Sequence, residues 1–278
     1  MLNPLASDPQ IHTPTPKRLM LSLLSARDND TMSLRQCIAW GDLFSIDAAA
    51  MRVALGRMVK TKLLVSVHRG VYRIGPEAHV LSDAARSWVR AEERIGPWDG
   101  DWLLVHTAHL GRRDKRCLRL RERALRLDGF VAMEGGLWVR PANYVESPEE
   151  TRARLILLGL DPDAYLLRSN TMLGPELPPT DLWPRAELES SYVTLEQRMQ
   201  KSLNELPRLT VREAARETFL LGEYVIRQIN SDPLLPDVMV DGGARRRVHR
   251  QMRRYDEAGF DAWKRFQADA DLEFDNRN

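Results

Sequence analysis

Long apolar runs, cysteines and catalytic signatures are all scarce in this sequence. No stretch of about 18 or more apolar residues occurs, so no membrane-spanning helix is expected. The only cysteines are Cys37 and Cys117, far apart and each in a helical pattern, so no disulfide framework is expected and a reducing, cytoplasmic setting is. The first residues lack the charged start, apolar stretch and small-residue cleavage site of a secretory signal. Their prolines and polar residues predict a loose leader over residues 1–16. There is no phosphate-cradling glycine loop, nucleophile elbow or dinucleotide fingerprint. His106 and His109 have no cysteine cluster or acidic pair beside them, and the second is expected to turn away from the first at a strand end, so no metal site is expected. Gly135-Gly136 reads as a hairpin turn. Neither an enzyme activity nor a cofactor is expected.

Hydrophobic residues at 43% and charged residues at 29% suit a chain with buried cores and solvated helix faces. The net charge is only +2, but residues 33–75 hold seven Lys/Arg against Asp42 and Asp47. Such an excess suits a phosphate backbone, because each neutralised phosphate releases counterions. The predicted fold class is α+β multidomain, in three parts after the leader. Residues 17–95 read as helix (17–27), helix (34–43, capped by Ser33), helix (from the Asp47 N-cap to 62) and two β-branched strands (64–67, 71–74), the order of a winged helix-turn-helix. A further helix (82–94) follows. Residues 96–175 read as β-α-β-β-α-β, with strands at 102–107, 130–133, 137–140 and 165–168 and helices at 113–127 and 148–158, the ferredoxin-like split unit. Past a Pro-rich passage from Gly174, residues 176–278 read as an all-α domain with helices at 186–203, 211–230 and 243–267.

The third helix carries the functional reading. Met51, Ala54, Leu55, Met58 and Val59 share one face, while Ala49, Arg52, Val53, Gly56, Arg57 and Lys60 lie mainly on the other. Small residues with interspersed arginines suit close approach to a major groove. Base reading is expected from Ala49, Arg52 and Val53, phosphate contact from Arg57 and Lys60, and a minor-groove or phosphate contact from His68 and Arg69 at the hairpin tip.

A second cationic stripe, Arg112, Arg116, Arg119, Arg123 and Arg126, lies beside an expected core face of Cys117, Leu120, Ala124 and Leu127. DNA flanks, effector phosphates, a partner's acids, or a solvated face with partners such as Glu122 would each answer it. Arg245, Arg246 and Arg247, with Arg250, Arg253 and Arg254, form a third cluster with the same alternatives. Trp183, Tyr192, Phe219, Tyr224 and Trp263 are expected in the core, some of them lining an effector pocket between helices.

The chain from Lys17 to Phe266 resembles the PaaX family, the repressors of phenylacetic acid degradation operons. The resemblance rests on AAAMRVALGRMVKTKLL with HRGVYRIG, on GPWDGDWLLV, on RLDGFVAMEGGLWVRPANY and on INSDPLLPD. It implies a cytoplasmic homodimeric repressor of an aromatic-compound catabolic operon. Such a protein binds a palindromic operator in double-stranded DNA and is released by an aromatic acyl-CoA effector. Arg112, Arg116, Arg119 and Arg123 are the candidates for the effector's phosphates, and Trp183, Tyr192 and Tyr224 for its aromatic part. After Pro236, where family members commonly continue with a second Leu-Pro and a Trp-Pro-Gly segment, this chain reads DVMVDGGARRR. The alternatives are a regulator sensing a free aromatic acid or other ligand, an adaptor without DNA binding, and a metal-dependent nuclease on the central fold. The nearest acids to the first central strand, Asp99 and Asp101, precede it.

Overall fold

The computed structural model describes residues 13–26, 31–171 and 179–275. Residues 1–12 of the expected leader, 174–178 of the Pro-rich passage and the last three residues lie outside the described residues. The fold is α+β, with two small antiparallel sheets. The chain forms two compact units, each drawn from separated stretches of sequence. Unit 1 takes the described parts of Met1–Ser87, Gln197–Arg227 and Arg250–Asn278, and unit 2 takes those of Trp88–Glu196 and Gln228–His249. Residues 176–278, expected as one helical domain, are thus shared between the two.

In unit 1, α1 (Pro16–Ser25) starts on the Thr15 hydroxyl, with proline at a first-turn position where its missing N–H costs nothing. A two-residue strand β1 (Met32–Ser33) leads into α2 (Leu34–Leu43), which opens with a capping box between Ser33 and Gln36. A short turn follows, with Ser45 at φ 59°, and then α3 (Ala48–Lys60). The Asp47 carboxylate accepts from Ala50 N at 2.8 Å and fixes where α3 begins. Asp47→Ala should lower stability by about 1 kcal/mol. An unchanged urea midpoint would show that the cap does not hold this end.

Strands β2 (Leu64–His68) and β3 (Val71–Ile74) follow, and the sheet runs β1-β3-β2, antiparallel throughout. The hairpin tip is tied back to the start of α2, where Leu34 N donates to Gly70 O at 2.7 Å. The sequence pattern missed β1, whose pairing with Val71 and Tyr72 is non-local. The helix expected over 82–94 is instead α4 (His79–Arg86) followed by two 3₁₀ turns.

Long helices complete both units: α7 (Arg185–Glu205), α8 (Val211–Asn230) and α9 (Gly242–Asp275). Among the described residues, no helix is long and apolar enough to cross a membrane. Trp40 is fully buried in unit 1 and packs against Phe219, Trp263 and Phe266 at centroid distances of 6.0, 5.7 and 5.0 Å. Non-local packing therefore sets α2 on C-terminal segments of the same unit. Arg18 Nε donates to Glu223 at 2.6 Å and Trp263 Nε1 donates to Thr218 at 2.9 Å.

Unit 2 is built on β4 (Trp102–His106), α5 (Lys115–Leu127), β5 (Val131–Ala132), β6 (Leu137–Pro141), α6 (Pro148–Leu158) and β7 (Tyr165–Ser169). The sheet order is β5-β6-β4-β7, all antiparallel. Period-two alternation sends Leu103 and Val105 of β4 into a core with Ala124, Leu125, Trp138 and Leu155, covered by α5 and α6.

Two segments far apart in sequence lock together in this unit. Gly129, at φ 76°, sits so close to residue 233 that a Cβ there would lie 2.6 Å from Pro233 O. Arg140, fully buried, spends its donors on Asp128 O, Pro141 O and Asn143 Oδ1, and lies 3.4 Å over the Tyr144 ring. Asn143 Nδ2 donates in turn to Leu234 O at 2.8 Å.

The expected core face of α5 is corrected. Cys117 and Leu120 are exposed and Leu127 is half-buried, while Arg121, Ala124 and Leu125 are buried. Arg121 occupies a core position because Asp161 accepts from its Nε at 2.7 Å and from Nη2 at 3.0 Å. The expectation about His109 is also corrected. A turn closed by Leu110 N donating to Thr107 O brings its ring back to stack on His106, with centroids 5.3 Å apart. His109 Nε2 lies 2.9 Å from Asp163 O.

Candidate nucleic-acid interface

Helix α3 exposes the side that its sequence marks. Met51, Leu55 and Met58 are buried, Ala54 and Val59 half-buried, and Ala49, Arg52, Val53, Gly56, Arg57 and Lys60 exposed. Val53, on the same exposed face, is 53% exposed. Gly56 stands mid-helix, where glycine costs about 1 kcal/mol relative to alanine. A Cβ there would meet nothing within 4 Å, so no internal packing demands its absence.

The cations on the outer side of α3 and at the hairpin tip stand apart from most arginines of the chain. Elsewhere arginines pair with carboxylates: Arg94 and Arg154 with Glu146, Arg121 with Asp161, Arg168 with Asp99 and Asp101. By contrast the side chains of Arg52, Arg57, Lys60, His68 and Arg69 make no hydrogen bond or ion pair among the described residues. His68 ends β2 and Arg69 begins the turn to β3, both exposed. Unit 1 thus brings all the expected DNA-contacting residues onto α3 and its adjoining hairpin.

The expected effector residues are not brought together in this way. Arg112, Arg116, Arg119 and Arg123 are exposed along α5 and its approach in unit 2, with the charge of Arg116 beside the Asp114 carboxylate. Trp183 is buried in the same unit, stacked on Trp102 at 6.3 Å and donating to Gly129 O at 3.2 Å. Tyr192, also buried in unit 2, lines a small cavity with Asp232, Arg245 and His249, where burial first and the Asp232 carboxylate next push its phenol above the usual range. Tyr224 is buried in unit 1 under the guanidinium of Arg198, 4.9 Å from its ring centroid. Three members of the third arginine cluster serve the fold. Arg245 is buried on Glu92 and Leu235 O, Arg246 pairs with Asp237 and Arg247 with Glu196.

Pattern reasoning missed one feature of unit 1. A cleft of about 780 Å³ opens beside α3 and the hairpin turn, and Arg212 of α8 and Phe266 of α9 reach it. Only the tertiary fold brings these residues there, and no spacing in the sequence signals it.

No protein-family model matches the chain, and no curated protein matches it. Among solved structures, the uncharacterized protein Rv0674 from Mycobacterium tuberculosis is similar in fold, with a TM-score of 0.61 over 92% of this chain and 99% of that chain at 19% sequence identity.

Proposed function

We propose that the chain is a DNA-binding transcriptional repressor whose outer α3 face enters the major groove. Residues 17–74 form a winged helix-turn-helix in this reading, with β2 and β3 as the wing. The β5-β6-β4-β7 order of unit 2 fits a ferredoxin-like split unit. The observation that carries the reading is the α3 face itself: unpaired Arg52, Arg57 and Lys60 around an exposed Val53 and a bare Gly56. The resemblance to the PaaX family extends it to a cytoplasmic homodimer on a palindromic operator of an aromatic catabolic operon, released by an aromatic acyl-CoA. Paired third helices would then fall in successive major grooves, about one helical turn apart.

The test is a mobility shift on DNA from upstream of the protein's own gene, set against a scrambled duplex of the same length. Arg52, near the N-terminal end of α3, is assigned to base edges. Arg52→Ala should lower the ratio of specific to non-specific affinity by about tenfold, with non-specific binding nearly intact. Retardation of both duplexes alike by the unaltered protein would defeat the operator reading. An unchanged ratio in the variant would remove Arg52 from the base-reading set.

A further inference from the structure

The cleft in unit 1 has the size of a small-molecule site, and its lining is chemically divided. Arg35, Arg52, Arg69 and Arg212 supply positive charge from α2, α3, the hairpin turn and α8. Leu34, Ile38 and Val71, each half-buried, supply apolar surface, while the Phe266 ring is buried with Arg212 over it, 5.8 Å from its centroid. Asp42 and Asp269 also face the space, and Asp42 holds Arg212 Nη2 at 2.6 Å. The mixture argues against a nucleic-acid strand as the occupant. Two carboxylates would repel a run of phosphates, and a phosphodiester backbone has no use for an apolar wall. A compact molecule with an acidic group at one end and a ring or alkyl body at the other matches each part.

We propose that this cleft binds a small amphiphilic organic anion, its acidic group held by Arg52, Arg69 and Arg212 and its apolar body lying on Leu34, Ile38 and Val71. Two of these arginines are also assigned to DNA, so occupancy and operator binding exclude one another. This second half rests on the DNA-binding reading; the site itself does not. Release from DNA then needs no rearrangement of subunits. The ligand neutralises and occupies Arg52 and Arg69, and each species lowers the apparent affinity for the other by mass action.

Anilinonaphthalenesulfonate, an aromatic anion that brightens on leaving water, is a suitable probe for the full-length chain. Saturable binding should weaken by about tenfold in Arg212→Gln and again in Arg69→Gln, each of which removes one charge-assisted contact. Lys264→Gln, on α9 but outside the lining, should leave it within about twofold. Equal affinity in all four proteins would overturn the site. In the second arm, upstream duplex should displace the probe and excess probe should abolish the mobility shift. Simultaneous binding of both, without mutual effect, would overturn the exclusion while the first arm stands. Probe binding that depends on Arg212 in a protein that retards no duplex would keep the cleft and defeat the DNA-binding reading alone.

Discussion

Arg245→Ala should destabilise unit 2 by about 3–5 kcal/mol at neutral pH, and the loss should shrink on acidification. Arg245 is 1% exposed. It donates to Leu235 O at 2.7 Å and Glu92 Oε1 at 3.2 Å, and reaches Asp237 Oδ1 at 3.3 Å. Its charge also bears on Asp232, whose own carboxylate accepts from Leu234 N at 2.7 Å. Burial pushes both Glu92 and Asp232 above the usual carboxylate range; Arg245 and then Arg246 limit the rise at Glu92, and hydrogen bonds from Tyr192 and Leu234 and then the charge of Arg245 limit it at Asp232.

An acid whose pKa is raised by folding binds more protons folded than unfolded. Stability therefore falls as pH climbs from its unfolded value towards its folded value. Removing Arg245 extends that window upwards for both carboxyls and takes a cation from each, leaving Arg246 near Glu92 and the Leu234 and Tyr192 hydrogen bonds on Asp232. Acidification protonates and neutralises both carboxyls. Urea unfolding of the variant and the unaltered chain at neutral and acidic pH measures the effect. A deficit that is equal at the two, or below about 1 kcal/mol at neutral pH, would show that Arg245 is not a counter-ion of this cluster.

Local chemistry made much of this architecture readable. The Ser33 and Asp47 caps, Pro148 at the start of α6 and the β-branched runs at 64–67 and 71–74 act through neighbours one to four residues away, and the elements stand close to where those signals put them. The division of α3 into buried and exposed faces follows from the same short-range periodicity. What escaped depends on partners distant in sequence. Strand β1 exists only because Val71 and Tyr72 pair with it.

Arg121, Arg140 and Arg245 look like surface charge in a linear reading, yet each is buried on acceptors that the fold delivers. The Arg121 error rotated the supposed core face of α5 towards Cys117 and Leu120. The segments RLDGFVAMEGGLWVRPANY and INSDPLLPD entered as separate marks of a family. The structure gives them a common reason, because Gly129, Arg140 and Asn143 form a seat for Pro233 and Leu234. For the candidate site, the α3 face was legible, whereas the cleft beside it was not, since Arg212 and Phe266 arrive from other helices of unit 1.

The largest functional effect should come from neutralising the end of α3. Arg57 and Lys60 are three residues apart, so they project from one face with about 4.5 Å between them along the axis. Both are exposed and have no internal partner among the described residues. Their position in the last turn favours positive charge through the helix dipole, by about 0.3–1 kcal/mol each. Their mutual repulsion, about 0.2–0.5 kcal/mol, works the other way. Arg57→Gln with Lys60→Gln should therefore leave the urea midpoint almost unmoved.

Duplex binding should fall by about ten- to a hundredfold at low salt, because two phosphate contacts and their released counterions are lost together. The plot of log affinity against log salt should flatten by about 1.8, which is 0.9 for each phosphate no longer neutralised. The loss should be the same for operator and scrambled sequence, unlike that of Arg52→Ala. A double variant with the unaltered slope would mean that this end of α3 does not touch the backbone. A loss confined to the operator would mean that Arg57 or Lys60 reads bases instead. Equal loss on both duplexes with stability retained is the result expected of phosphate contacts at this end of α3.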